Sequence, residues 1–285
     1  MRSLEALYDV CRRHHVRDHH SLGIVLPEPY IPYLPPVAVG EDWNGVLLLA
    51  EAQNMGNREV VYCDKLESAH QRDRWNRLNL SYCRFPEKLR PSPCGVHRDV
   101  AIAPWKNGVM PFVVVALAEL HSKAADVLGT DNGLLAVQHV AVCNAVPWSR
   151  RNDKGGILRP ITKGLWSPDA EHAVDFWRDL IPRIECTLAR VKQIWAFGRV
   201  AQEVIWQVAP AAQGMPSASN ANYPHLWREA VPFLQENASL GENLHELLDS
   251  TSECLGISKG NKRFILYCAA VALKRYRNCG RAVDS

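Results

Sequence analysis

Asn144 closes an apolar run, AVCNAV over residues 141–146, inside HVAVCNAVPWSRRND. A carboxamide carries a donor and an acceptor side by side, the pattern that reads the edge of a pyrimidine or another flat amide. Two other stretches deliver polar groups in the same way. VLLLAEAQNMG, residues 46–56, follows its apolar run with a carboxylate, Glu51, and two amides, Gln53 and Asn54. IWAFGRVA, residues 194–201, ends its apolar run on Gly198 and Arg199. A base-reading amide together with groups able to orient water suggests a hydrolase acting on a base-bearing substrate.

Such groups converge only if the elements beneath them are aligned. Residues 46–50 are continuously apolar, of strand length, and bounded by Asn44-Gly45 and by polar residues. That pattern predicts a strand buried on both faces of a parallel sheet. Residues 140–146 and 194–197 read as further strands, the latter stopped by Gly198. Helices are predicted over 112–128 and 200–208, and from Ser167 as N-cap with Pro168 in the first turn. In that last helix Val174, Trp177, Ile181, Ile184, Leu188 and Val191 recur at helical spacing, with Pro182 expected to kink it. The chain from residue 243 reads as helical, including a basic-edged helix over 264–276.

Strands alternating with helices predict an α/β layer sandwich. Ligands of such sheets bind at the carboxyl ends of the strands, near the switch point. The rule nominates residues 51–56, 144–148 and 198–199. Upstream, residues 1–21 read as a short basic helix. Residues 22–36, LGIVLPEPYIPYLPP, read as an arm that its prolines keep out of helix and central strand. Residues 1–42 are therefore expected to pack on a single domain spanning 43–285. Residues 57–100, rich in turn formers, are expected to form an elaborated loop with short helices.

Composition narrows the class. The 285 residues are 47% hydrophobic and 22% charged, which supplies ample material for a core. No apolar run reaches the roughly 18 residues of a membrane span. The opening MRSLEALYDVCRRHH lacks the apolar segment and cleavage site of a signal peptide, so a cytoplasmic location is expected. Nine cysteines, an odd number with no CxxC, predict reduced thiols and no resident metal. A net charge of +3 excludes a polycation. The basic residues nevertheless cluster at 12–20, 72–77, 149–154 and 259–277. Such clusters form either solvated faces or a phosphate track.

Four stretches, in order along the chain, resemble the motifs of the uracil-DNA glycosylase superfamily. AEAQNMG, residues 50–56, sits in the place of the water-activating loop, GQDPYH in one branch and GEAPG in another. VAVCNAVPW, residues 140–148, matches the Asn-Ala-Val of the base-reading strand, LLLNAVLT. IWAFGRVAQ, residues 194–202, is similar to the third strand and its helix. YPHLWRE, residues 223–229, stands for the HPS-type loop whose histidine stabilises the departing base. The resemblance spans roughly residues 43–235. In this chain the aspartate of GQDPYH is Ala52, the histidine of HPS falls on Tyr223 with His225 two places later, and the tyrosine fencing pyrimidine C5 falls on Asn54.

The resemblance implies a three-layer α/β/α sandwich with a central, mainly parallel four-stranded sheet. It implies a monofunctional DNA glycosylase that needs no cofactor, acts as a monomer away from membranes, and binds single- or double-stranded DNA. Glu51 or Asn54 would orient water beneath C1′ and offset the charge of the oxocarbenium-like sugar. His225 would stabilise the leaving base, with Gln53, Asn144, Trp148 and Tyr223 lining its pocket. Trp105 and Trp227 are further candidates for a stacking wall. Arg150, Arg151, Arg199 and Arg228 would hold phosphate. Asn54 in place of the bulky gate leaves room beside C5, so a C5-modified pyrimidine is the expected base. Such bases occur in phage DNA, which suggests a role in antiviral defence. Each residue also has a structural role open to it: capping or ion pairing for Glu51, a turn for Asn54, a strand end for Asn144 and a solvated face for the arginines. A catalytically silent nucleic-acid-binding member of the same fold, or hydrolysis of a free nucleoside, are the competing functions.

Overall fold

A computed structural model describes residues 44–50, 109–129, 136–137, 140–145, 161–162, 165–166, 168–187, 190–217 and 223–281. The described residues mix helix and strand, are mostly helical, and include a small parallel sheet. The chain divides into two compact units. The described part of the first lies within 47–50 and 141–212, and that of the second within 44–46, 109–140 and 213–281. The expected N-terminal arm and the loop over 57–100 lie outside the described residues.

The sheet of the first unit contains β1 (Val46–Ala50), β2 (Val140–Asn144) and β5 (Gln193–Phe197), with β1 between the other two. A short antiparallel ribbon, β3 (Ile161–Thr162) and β4 (Leu165–Trp166), pairs Ile161 with Trp166 and Thr162 with Leu165. Ile194–Phe197 are all buried, so β5 is covered on both faces, as its unbroken apolar run predicts. Gly198 ends the strand at φ 87°, a backbone that side-chain-bearing residues rarely adopt.

Two helices belong to the same unit. In α3 (Pro168–Thr187) the buried stripe is Ala173, Val174, Phe176, Trp177, Leu180 and Ile184. Ile181, predicted to be on that stripe, is half-buried at its edge, and Phe176 and Leu180 complete it. Pro168, which has no N–H to satisfy, opens the helix, and Pro182 lies inside it. α4 (Arg199–Trp206) buries Ala201, Val204 and Ile205 and packs on α3 and β5. Gln202 Nε2 donates to the Ala196 carbonyl at 3.2 Å, tying α4 to the strand before it.

The second unit is a helical cluster. α1 (Val109–Leu120) is buried over residues 109–118, and a helix apolar on every side belongs in a core. Its Val113–Val115 run is poor helix former, so the surrounding packing decides its conformation. The predicted helix over 112–128 is in fact two. His121 is extended, at φ −142° and ψ 105°, and α2 (Ser122–Leu128) starts after it. Gly129 closes α2 in the left-handed region at φ 67°, its N–H bonded to the Ala125 carbonyl. Asn44 Nδ2 donates to the carbonyls of Val127 and Leu128, which satisfies acceptors left over at the helix end.

α7 (Lys262–Arg281) packs on α1 and buries Phe264, Ile265, Leu266, residues 268–273 and Tyr276. α5 (Tyr223–Glu236) and α6 (Ala238–Thr251) pack on α7 through Leu226, Ala230 and Phe233, and through Leu240, Leu244 and Leu248. β6 (Gln213–Met215) also lies against α7. Among the described residues no helix is long and apolar enough to cross a membrane. Cys186 and Cys268 are free thiols, whereas Cys254 is disulfide-bonded. That corrects the expectation of uniformly reduced cysteines: pairing depends on proximity in the folded chain, which sequence spacing does not report.

Candidate functional site

The first unit aligns the ends of its strands. β1 lies between β2 and β5, so the chain leaves β1 towards one side of the sheet and later returns on the other. A parallel sheet wound both ways opens a crevice at the carboxyl ends of the strands beside the reversal. Asn144 is the last residue of β2, Ala50 the last of β1, and Gly198 and Arg199 follow β5. Glu51 comes directly after Ala50 in sequence.

A residue that sequence reasoning assigned only to the core braces this edge. Trp177, fully buried on α3, donates its Nε1 proton to the Ala145 carbonyl at 2.7 Å, one residue beyond Asn144. Phe176 meets the Trp177 ring edge-on, with centroids 5.2 Å apart. Helical spacing marked Trp177 as buried; its hydrogen bond to a strand 32 residues away left no local signal.

The predicted site residues fall into three groups. Glu51, Gln53, Asn54, Trp105, Trp148, Arg150 and Arg151 lie outside the described residues. Asn144 and Arg199 belong to the strand-end edge of the first unit. Arg199 is ion-paired to Glu203 one turn along α4, and its side chain is 69% exposed. Tyr223, His225, Trp227 and Arg228 belong to the second unit and lie in the first two turns of α5. YPHLWRE is therefore helical rather than a loop. The apolar residues Leu226, Ala230 and Phe233 fall on one face at helical spacing, and their burial fixes the conformation. His225, Trp227 and Arg228 point to solvent on the opposite side.

Tyr223 is half-buried against Tyr267 of α7, ring centroids 5.8 Å apart and tilted by 39°. Burial, and then its neighbour Tyr223, push the Tyr267 phenol above its ordinary pKa. The start of α7 carries Lys262 and Arg263, and the turn before it carries Lys259; the sequence flagged these only as part of a basic cluster. Lys262 Nζ meets Asp249 Oδ1 at 2.6 Å, and this hydrogen bond, with the charge behind it, lowers the Asp249 pKa. At the far end of α7 the cations turn inward. Arg275 reaches Glu229 of α5 at 3.2 Å, while Arg277 contacts Asn237 and lies over the Phe233 ring. Among the described residues no three His, Cys, Asp or Glu side chains gather as metal ligands.

Comparison of the chain with known protein families, curated proteins and solved structures finds no match.

Proposed function

We propose that the protein is a DNA glycosylase that hydrolyses the N-glycosidic bond of a flipped-out, C5-modified pyrimidine. The reading takes the fold as a three-layer α/β/α sandwich built on a four-stranded sheet. The observation that carries it is Asn144 at the carboxyl end of β2, beside the reversal at β1, with its neighbour Ala145 tied down by Trp177. A base-reading amide must be held rigidly to discriminate donor from acceptor, and a buried indole bond to the next residue does that.

In the reaction, water adds to C1′ as the bond to the base breaks. The base leaves with the bonding electrons and is protonated, and an abasic site remains. Glu51 or Asn54, directly after β1, orients the water. Asn144 holds the base, with Gln53 and Trp148 as further pocket residues. Extruding the base costs a few kcal/mol, which pocket and phosphate contacts offset. Arg150, Arg151 and Arg199 supply phosphate contacts. Removal of a modified base from invading DNA would make the protein part of antiviral defence.

A second reading, a catalytically silent nucleic-acid binder, draws support from two observations. His225 stands exposed on a helix, and Arg199 is engaged by Glu203. Incubation with DNA carrying a 5-substituted cytosine or uracil, followed by alkali, separates the two. The glycosylase reading expects strand scission, faster than for plain uracil. E51Q and N144A should each slow it by roughly 10²-fold or more. Binding without scission of any DNA would leave the silent reading standing.

A further inference from the structure

We propose a second binding site, at the start of α7 in the second unit, for a single-stranded nucleic-acid segment held through its phosphodiester backbone. Two cavities open there, of about 640 and 550 Å³, both lined entirely from the second unit. Lys259 and Arg263 line both, so the cavities form one track around these two cations. Lys262, His245, Asp249 and Tyr267 line the first, and Tyr223 lines the second.

The charges favour an anion. Asp249 is the one carboxylate among the described lining residues, and Lys262 already engages it. Lys259 and Arg263 form an ion pair with no carboxylate among the described residues. Folding alone gives no reason for this arrangement, because a helix start carries partial positive charge and cations there are unfavourable. Neither α7 nor the 3₁₀ turn before it, Lys259–Asn261, has an acidic residue in its first turn. The far end of α7 shows the contrast: Arg275 and Arg277 serve internal contacts, and the near end keeps its cations turned to open cavities.

The shape favours a chain over a single small anion. Each cavity is large enough for a nucleotide-sized group, and the shared cations sit where two such groups would join. Tyr223 and Tyr267 add one aromatic ring to each cavity, and a stacking face accepts any base. A positively charged groove with interleaved aromatic rings suits an unpaired strand without sequence preference. The site stands whether or not the first unit hydrolyses a glycosidic bond.

The test is anisotropy of a labelled oligodeoxyadenylate of about 12 nucleotides, bound to the full chain over a range of NaCl concentrations. It carries no pyrimidine, so its outcome is independent of the scission assay. The expected result is salt-sensitive binding that K259Q/R263Q weakens by about tenfold at low salt. The slope of log K against log salt should become shallower by about 0.7 for each cation removed. D249N releases Lys262 and should tighten binding, a gain that a misfolded variant cannot produce. No binding by the unaltered chain, or unchanged affinity and slope in K259Q/R263Q, overturns the proposal. Complete displacement by inorganic phosphate at an equal concentration of phosphate groups also overturns it, because the site is then one for small anions.

Discussion

His121 is the extended residue between α1 and α2, and its Nδ1 is buried with no hydrogen-bond partner. Tyr276 of α7 meets its ring edge-on at 4.9 Å. Burial first, then the charges of Arg277 and Lys123, lower its pKa below the usual histidine value of 6.5. The folded protein therefore binds this proton less readily than the unfolded chain does. Its contribution to stability is complete above the unfolded pKa and is lost as pH falls from there through the folded one. The urea midpoint should drop between about pH 7 and pH 5. Phe at this position keeps the aromatic contact and removes the titrating nitrogen, so H121F should show a flatter profile over the same interval. Parallel profiles for the two proteins would rule out this assignment. The sequence, with eleven histidines, gave no means of separating this one from the rest.

At the scale of elements, the strand-end edge depends on how α3 is docked. Trp177 both fills the interface and caps the Ala145 carbonyl. W177F preserves most of the apolar volume and leaves that carbonyl without its donor, at a cost of about 1–3 kcal/mol. Urea denaturation should report that loss. If Asn144 reads a base, the same variant should also slow base release without abolishing it, because Ala145 can shift and carry Asn144 with it. Full activity together with the full stability loss would separate the brace from the site. The helices themselves were largely legible. The apolar periodicity and Pro168 gave α3, and the apolar run bounded by Gly198 gave β5. The break at His121 was not, because residues 112–128 are continuous enough to read as one helix, and only packing on both sides selects the interruption.

At the scale of the whole molecule, the second unit draws on segments far apart in the chain, before residue 47, up to residue 140 and after residue 212. α1 and α7 are its mutual core: α1 is buried over residues 109–118, and α7 buries residues 264–266, 268–273 and Tyr276. A chain ended at residue 212 lacks α7 and exposes the helix that α7 covers. It should bind a hydrophobic dye strongly and precipitate, since exposed patches of this kind drive association. A monodisperse, dye-negative truncated protein would show that α1 is covered in some other way. The described residues mix helix and strand, mostly helix, with a small parallel sheet, which is the coarse form of the expected α/β architecture. Long-range packing gave the C-terminal segments a helical cluster of their own.

Local chemistry determined the elements. A short unbroken apolar run bounded by turn formers fits a covered strand, a 3.6-residue apolar period fits a one-sided helix, and both patterns are written in consecutive residues. Asn144 as a strand-end amide follows from that logic alone. Tertiary structure decided everything that joins distant residues: the Trp177 bond to Ala145, the helical state of YPHLWRE, and the division of the basic stretch after residue 259 into an inward-facing end and an open one. Charge and apolarity in a sequence state what a residue can do. Which neighbours meet it depends on contacts between residues far apart along the chain, and those exist only once the elements have packed.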